Sequence, residues 1–441
     1  MNFGVHGVIT AMQIDSNSLT CGAQLSQPAE DAESNRPQPA PHREGGRSLA
    51  RPHFILQPNQ TLAPPPAHPP GSDEASSMVL PEELVEEVLL RLPPAEPASL
   101  VRAALVCKPW CRLISGRRFR RRFGELHRSP PVLGYFCNRF FFTDSVTCFV
   151  PASPAFPPRA DQVLCHALDA RHGRVLLRSK PQSLRLTVWD PVAGDRWELP
   201  PLSDAWNKRR WNAAVLCAAS AGACDHLDCR EKPFLVVCVG SGRRKIYLCI
   251  YSSETGSWTE PTFAAWKPEY GVVQDMAPAL VGNSLYFMVD VAYGMLRYDL
   301  ITRETSVIDS LSLPVKPMKL GDGGIAAAIE LEDYSRLSLW SMETSPSGDV
   351  KWTQLRVIDL NKVLPAGVLL EDACYVAYAR GVGILAGTVD RLLNIDLESD
   401  KVETLYTGSF FHGVIPYTSF YIPVLGSVDA VEEPRADASV A

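Results

Sequence analysis

The sequence has 441 residues, of which 46% are hydrophobic and 21% charged, so it could hold two to four domains, or one small and one large domain. The net charge of −6 argues against a globally basic nucleic-acid binder. The sequence lacks the ~18 consecutive apolar residues of a membrane helix and a convincing signal peptide. Its scattered cysteines, several within apolar runs, predict a reducing setting in the cytoplasm, the nucleus or both.

The two ends of the chain are predicted to be disordered. Residues 1–72 hold 11 of the 37 prolines and contain no lysine, tryptophan or tyrosine. Such a segment cannot bury enough apolar surface to offset the entropy lost on ordering. We therefore expect disorder over 1–77 and again over the tail 427–441.

Residues 78–128 are predicted to form a small domain of three helices. Leu84, Val88 and Leu92 recur with helical spacing, and the prolines that follow end this first helix. A second helix is expected from about Pro97, and a third is expected to end at Gly116. So many large apolar residues in so short a unit suggest that a partner covers one face.

Residues 129–426 are predicted to form an all-β domain. An apolar strand, an aromatic or aliphatic residue followed by Asp or Ser, a polar turn and a second strand recur at intervals of about 52 residues. This period is typical of propeller blades, and the region has room for about six, as in kelch-like proteins. A pair of β-sandwiches is the alternative. The repeats lie at 184–200, 246–261, 294–309, 336–355 and 391–406.

The helical segment resembles the F-box. The resemblance lies in Leu80-Pro81, Arg91-Leu92-Pro93 and the element Val106-Cys107-Lys108, followed by Trp110 and Leu113-Ile114. The full layout is similar to plant-type F-box proteins, in which a kelch-like or F-box-associated β domain follows. Departures from the pattern are the extra prolines between the first two helices and Pro109 beside the tryptophan.

The resemblance implies a non-catalytic subunit of a Skp–cullin–F-box ubiquitin ligase. Its F-box would dock on a Skp-type adaptor and through it on a cullin–RING ligase, while the β domain would bind an unknown protein substrate. The alternative is a propeller scaffold whose F-box takes no part in ubiquitination. The implied adaptor contacts are Leu80, Pro81, Leu84, Val88, Leu89, Leu92, Val106, Cys107, Trp110 and Leu113.

The residues themselves do not point to catalysis or to a cofactor. The sequence contains none of the common nucleotide-binding, zinc-protease or hydrolase motifs. For substrate recognition, the best candidate is the loop 203–212, because tryptophan and arginine are enriched at binding hot spots. Its candidate residues are Trp206, Arg209, Arg210 and Trp211; the alternative is a connection between blades with buried tryptophans.

Two further clusters have a plain interpretation. Cys217, Cys224, His226 and Cys229 have the side chains of a zinc site, but their spacing matches no familiar ligand set. We therefore expect a polar insertion loop without a metal. The arginine run 117–122 is expected to be a solvated face, with nuclear import or nucleic-acid binding as alternatives.

Overall fold

The fold is described from a computed structural model, in which the chain divides into the units 1–76 and 77–441. The structure describes residues 81–422, except 142–143, 154–164, 180–182, 208, 220–223, 243, 266–270, 290–293, 309–314, 321–323, 330–335, 345–349, 366–374, 380–381, 389 and 409–410. The segments predicted to be disordered, 1–77 and 427–441, lie outside the described residues.

Four helices, one more than predicted, open the described part of the chain. They are α1 (Glu82–Leu90), α2 (Pro97–Val106), α3 (Lys108–Ser115) and α4 (Arg117–His127). Gly116 ends α3, as expected. Its φ is −67° and its backbone is extended, and it is also the N-cap of α4.

The core of the helical domain is completed by the end of the β domain. Leu89 of α1, Leu100 of α2 and Phe123 of α4 are all buried in one cluster, together with Phe420 and Ile422. The ring of Phe123 meets that of Phe420 edge to face, with 5.7 Å between centroids. The helical domain is thus packed against the β domain.

The arginine run lies on α4, where Arg117 and Arg118 are exposed, as expected, but Arg120 is buried and the run is paired on two sides. Toward α1, Arg122 contacts Glu86 at 2.9 Å and also pairs with Glu87. Glu86 is buried, and an unpaired buried carboxylate would cost free energy of folding. The ion pair with Arg122 offsets part of that cost. This pairing joins acidic residues of α1 to a basic residue of α4.

The other side of α4 faces the loop 224–232 of the β domain. Arg120 lies 3.5 Å from Asp228 and 2.5 Å from Glu231, and Arg121 lies 2.5 Å from Asp225. Arg120 is itself buried. The arginines therefore join the helical domain to the β domain.

Six antiparallel sheets are present in the part of the chain that the structure describes. Sheet 1 begins with β1 (Val132–Phe141) and β2 (Asp144–Pro151), and sheet 2 comprises β3 (His166–Arg171), β4 (Arg174–Arg178), β5 (Leu186–Trp189) and β6 (Arg196–Glu198). Sheet 3 comprises β7 (Arg210–Cys217), β8 (Phe234–Ser241), β9 (Lys245–Ser252), β10 (Ser257–Trp258) and β11 (Thr262–Ala265).

The remaining sheets repeat one plan of four strands. Sheet 4 comprises β12 (Ala279–Val281), β13 (Ser284–Met288), β14 (Met295–Asp299) and β15 (Thr305–Ile308). Sheet 5 comprises β16 (Val315–Leu320), β17 (Gly324–Ile329), β18 (Arg336–Thr344) and β19 (Val350–Asp359), and the short α5 (Leu360–Val363) follows it. Sheet 6 comprises β20 (Tyr375–Ala379), β21 (Gly383–Gly387), β22 (Arg391–Ile395) and β23 (Val402–Thr407). The last strand, β24 (Phe411–Thr418), returns to sheet 1.

The repeated sequence pattern is the outer hairpin of each of sheets 2 to 6. The pairs are β5–β6, β9–β10, β14–β15, β18–β19 and β22–β23. In three of these turns the pattern's aspartate accepts two backbone N–H bonds: Asp190, Asp299 and Asp396 each bond the residues two and three positions further on. This explains why the turn needs Asp at that position.

The sheets close into a ring, as in a propeller and unlike a pair of sandwiches. The strand β24 pairs with β1, so sheet 1 joins the two ends of the β domain. The first strand of sheet 2 touches that of sheet 3, and the same holds from sheet 4 to 5 and from 5 to 6. Sheets 3 and 4 share a buried apolar cluster, and β24 touches both β3 and β20. Among the described helices, none is long and apolar enough to cross a membrane.

Candidate functional site

Helix α1 presents two apolar side chains to solvent. Leu84 is 52% exposed and Val88 60% exposed, and these residues lie one turn apart on the same face of the helix. On the adjacent side of the helix, Val85 and Leu89 are buried in the helical core. The helix therefore has two adjacent apolar sides. Within the described residues, the side of Val85 and Leu89 is covered and the side of Leu84 and Val88 is exposed to solvent.

The end of α2 presents a second apolar corner. Leu105 is 79% exposed and Val106 64% exposed, and Cys107 next to them is also exposed. The following helix adds Trp110, which is half-buried against the helical core. We call Leu84, Val88, Leu105, Val106 and Trp110 the apolar surface of the helical domain.

The structure sorts the ten implied adaptor contacts by exposure. The sequence left open whether Leu89 is internal; the side chain is 3% exposed and packs inside the helical core, beneath the exposed residues of α1. Leu80 lies outside the described residues. Leu92, Trp110 and Leu113 are half-buried, and the exposed members are Pro81, Leu84, Val88, Val106 and Cys107.

Sequence reasoning missed Leu105, the most exposed large apolar residue of the helical domain. A signal was present, since Leu105 is apolar and directly precedes Val106 near the predicted element Val-Cys-Lys. Its exposure depends on where α2 ends, and helix ends are difficult to locate from sequence to within one or two residues.

In the loop predicted to recognise substrate, both tryptophans are buried, so they do not form an exposed hot spot. Trp206 and Trp211 are 2% and 8% exposed, and they pack in the apolar cluster between sheets 2 and 3. A Cβ on Gly240 would lie 2.7 Å from the ring of Trp206, so the two fit closely. Arg209 stacks on Tyr247, with its guanidinium 3.6 Å from the ring centroid.

Arg210 is the exposed member of the four candidate residues. The buried tryptophans agree with the alternative interpretation, in which this segment connects two blades. A recognition role for the exposed Arg210 stays a prediction.

One polar cluster joins sheets 1 and 2 to the segment before sheet 4. Asp275 accepts a bond from Arg178 at 2.6 Å and lies 3.3 Å from Nε2 of His166, which in turn lies 3.3 Å from the amide of Asn138. Burial by itself would raise the pKa of Asp275, but the hydrogen bonds and positive charges of His166 and Arg178 outweigh this effect. The pKa is therefore lowered to about 2. A carboxylate that stays ionised in this way is not poised as a general acid or base near neutral pH.

Comparison with known proteins identifies the helical domain. The family model "F-box domain" matches residues 78–122. The F-box protein ETP2 of Arabidopsis thaliana is 23% identical over 323 residues, which are 65% of this chain and 78% of that protein. A putative F-box/kelch-repeat protein of the same plant is 29% identical over 196 residues. This match spans 41% of the chain and less than half, 45%, of that relative.

Solved propellers resemble the β domain only distantly. The propeller domain of Cps50 (Swd1) from Myceliophteria thermophila has a TM-score of 0.33 and 13% identity, over 61% of this chain and 84% of that one. The Dos1 propeller has a TM-score of 0.35 and 9% identity, over 62% and 70%. The assignment of the fold rests on the sheet order and ring closure described above. The chain thus carries an F-box domain at residues 78–122, followed by a β domain, and it is similar to F-box proteins of Arabidopsis thaliana.

Proposed function

We propose that this protein is a substrate-recognition subunit of a Skp–cullin–F-box ubiquitin ligase. The F-box domain and the F-box relatives support an adaptor role of this kind in general. In the proposed complex, the F-box docks on a Skp-type adaptor that leads to a cullin–RING ligase. The β domain binds the protein to be ubiquitinated and holds it near the reacting thioester, which raises the rate by proximity.

The observation that carries this proposal is the exposed apolar surface of the helical domain. Four of its five side chains are more than half exposed, and they form two pairs, one on α1 and one at the end of α2. An apolar group of this kind on a small domain marks a protein interface. Trp110, half-buried beside it, is of the residue type that most often anchors such interfaces.

The proposed subunit is not itself an enzyme. Asp275, the acidic residue of the polar cluster, is ion-paired across strands, which supports a structural role for that cluster. We also propose that the protein works in the cytoplasm, the nucleus or both. The ten cysteines within the described residues are all free, as is usual in reducing compartments.

The adaptor interface is tested by changing exposed residues, whose truncation leaves no cavity. The double variant Leu84→Ala/Leu105→Ala removes two of the exposed side chains of α1 and α2. We expect its affinity for a Skp-type adaptor to fall at least about tenfold, which equals about 1.4 kcal/mol. Isothermal titration calorimetry with the purified adaptor measures this change.

The matched control is Leu126→Ala, which truncates an exposed leucine at the end of α4, outside the apolar surface. Its adaptor affinity should equal that of the unchanged protein. Unaltered binding by the folded double variant would refute the interface. If the adaptor binds but no cullin copurifies from plant extract, the scaffold alternative is favoured.

A further inference from the structure

The fold brings together four side chains that are spread over 13 residues of the sequence. They are Cys217, at the end of β7, and Cys224, His226 and Cys229 of the loop that follows; we call them the Cys–His cluster. One ligand atom from each lies within 4.8 Å of all the others. The thiols of Cys217 and Cys229 are on buried residues, and the other two residues are half-buried.

The distances between the candidate ligand atoms fit tetrahedral coordination of one ion. The Sγ atoms of Cys224 and Cys229 are 3.7 Å apart, and Sγ of Cys229 is 3.5 Å from Nδ1 of His226. Two thiolates bound tetrahedrally to zinc at about 2.3 Å lie about 3.8 Å apart. The four side chains therefore require little movement to bind one ion.

The backbone of the loop is arranged around the same point. His226 has φ +58°, a left-handed conformation that is uncommon for residues other than glycine. The backbone N–H of His226 donates to Sγ of Cys224 at 3.3 Å. A hydrogen bond of this kind stabilises a thiolate rather than a thiol, because the sulfur is the acceptor.

Residues around the cluster supply charge and orientation. The ammonium of Lys232 lies 3.0 Å from Sγ of Cys224. Three thiolates and a neutral imidazole around a divalent ion carry one net negative charge, which this ammonium offsets. The ring of His226 stacks on that of His172 at 4.0 Å, which holds the imidazole in place. Groups of this second layer are what orient metal ligands in proteins.

A buried arginine holds the loop from inside the β domain. Arg174 of β4 donates to the backbone carbonyls of Cys229 at 2.6 Å, of Arg230 at 3.2 Å and of Lys232 at 2.5 Å. His226 and Cys229 also line a cavity of about 380 Å³, which gives an ion a route to the thiols. The loop is thus built into the domain rather than being a loose insertion.

We propose that the Cys–His cluster binds one Zn²⁺ ion through three thiolates and one imidazole. Soft thiolates with an imidazole in tetrahedral arrangement select zinc over the harder divalent cations. We expected an insertion loop without a metal because the spacing of the four residues is unfamiliar. The fold brings them together in spite of that spacing. It brings Cys217 from a strand to a loop whose other ligands are local, so the spacing matches no familiar motif.

The proposed ion has a structural role at the junction of the two domains. The loop that holds it also carries Asp225 and Asp228, which pair with arginines of α4. Leu227 of the same loop packs against the helical core beside Gly124, where an added Cβ would lie 3.2 Å from it. Zinc would therefore fix the surface on which the F-box domain rests.

The test is to measure the metal in the full chain, purified with its Skp-type adaptor under reducing conditions and loaded with Zn²⁺. Mass spectrometry of the metal should find one zinc per chain after dialysis. Replacement by Co²⁺ should produce the strong near-ultraviolet thiolate-to-cobalt bands and the intense visible bands of a tetrahedral site. This spectrum needs no variant, so it does not depend on the folding of one.

Variants then assign the ligands. Cys224→Ser/Cys229→Ser should lower the bound zinc at least tenfold, while Cys165→Ser, which changes a half-buried cysteine outside the cluster, should leave it at one per chain. Less than a tenth of a zinc per chain in the loaded, folded protein, together with no cobalt bands, would overturn the proposal. So would a disulfide between Cys224 and Cys229 in protein alkylated at lysis.

Discussion

At the scale of single residues, the chemical type of a side chain did not indicate where it would lie. Trp206 and Trp211 stand beside arginines in the sequence, as at a binding hot spot, yet both are buried between sheets 2 and 3. An aromatic side chain buries a large apolar area wherever it finds an apolar environment, in a core or in an interface. Local sequence does not distinguish the two, because the covering surface comes from another strand.

This burial leads to a prediction about stability. Trp206→Ala should lower the free energy of unfolding by about 3–5 kcal/mol, because it leaves a cavity between two sheets. Thermal melting of the purified protein measures the change, and Trp206→Phe should be milder. The neighbouring change Arg210→Ala, at an exposed residue, should leave the melting temperature unaltered. Equal melting of Trp206→Ala and the unchanged protein would contradict the buried position.

At the scale of elements, the arginines of α4 form part of the junction between the helical domain and the β domain. They pair with α1 on one side and with the loop 224–232 on the other. The sequence shows the positive charge of the run but not its partners, since Asp225, Asp228 and Glu231 lie about a hundred residues further along the chain. Charge pairing across such a distance is decided by the packing of the elements.

Two arginines of α4 allow a matched test of this junction. Arg120 is buried and pairs with Asp228 and Glu231, whereas Arg117 is 73% exposed and lies 3.7 Å from the same Glu231. Arg120→Ala leaves Asp228 largely buried without its partner and should destabilise the protein by about 2–4 kcal/mol. Arg117→Ala should cost at most about 0.5 kcal/mol. Differential scanning calorimetry compares them, and equal losses would contradict the assignment.

At the scale of the whole molecule, the β domain is closed by pairing its last strand with its first. The strands β1 and β24 come from opposite ends of the domain and pair antiparallel from Val132 to Arg139. This pairing covers an edge of β1 that would otherwise offer its backbone groups to other chains. Tyr417 of β24 also donates to the carbonyl of Gly173 in the neighbouring sheet at 3.1 Å.

Truncation tests this closure. A chain that ends at residue 407 lacks β24 and the core residues Phe420 and Ile422, so we expect it to aggregate and to lose its cooperative melting transition. A chain that ends at residue 426 retains them and should behave as the full chain does. Size-exclusion chromatography with thermal melting distinguishes the two, and a monomeric, cooperatively melting short chain would show that closure is dispensable.

The sequence by itself determined the features that depend on neighbours along the chain. The helical spacing of Leu84 and Val88, the turn-capping aspartates and the recurring hairpins are all local, so the F-box and the repeated β architecture were both predicted. Periodicity also indicates that a helix has an apolar face, but it does not indicate which of two apolar faces is covered. The sequence therefore left the burial of Leu89 open and did not single out Leu105.

The tertiary structure alone decided what depends on contacts between distant segments. It turned the arginine run toward acidic residues of the β domain, buried Trp206 between two sheets and joined β24 to β1. It also brought Cys217 to the loop of Cys224, His226 and Cys229. The physical reason is the same in each case: these contacts form only when strands and loops far apart in sequence are packed together.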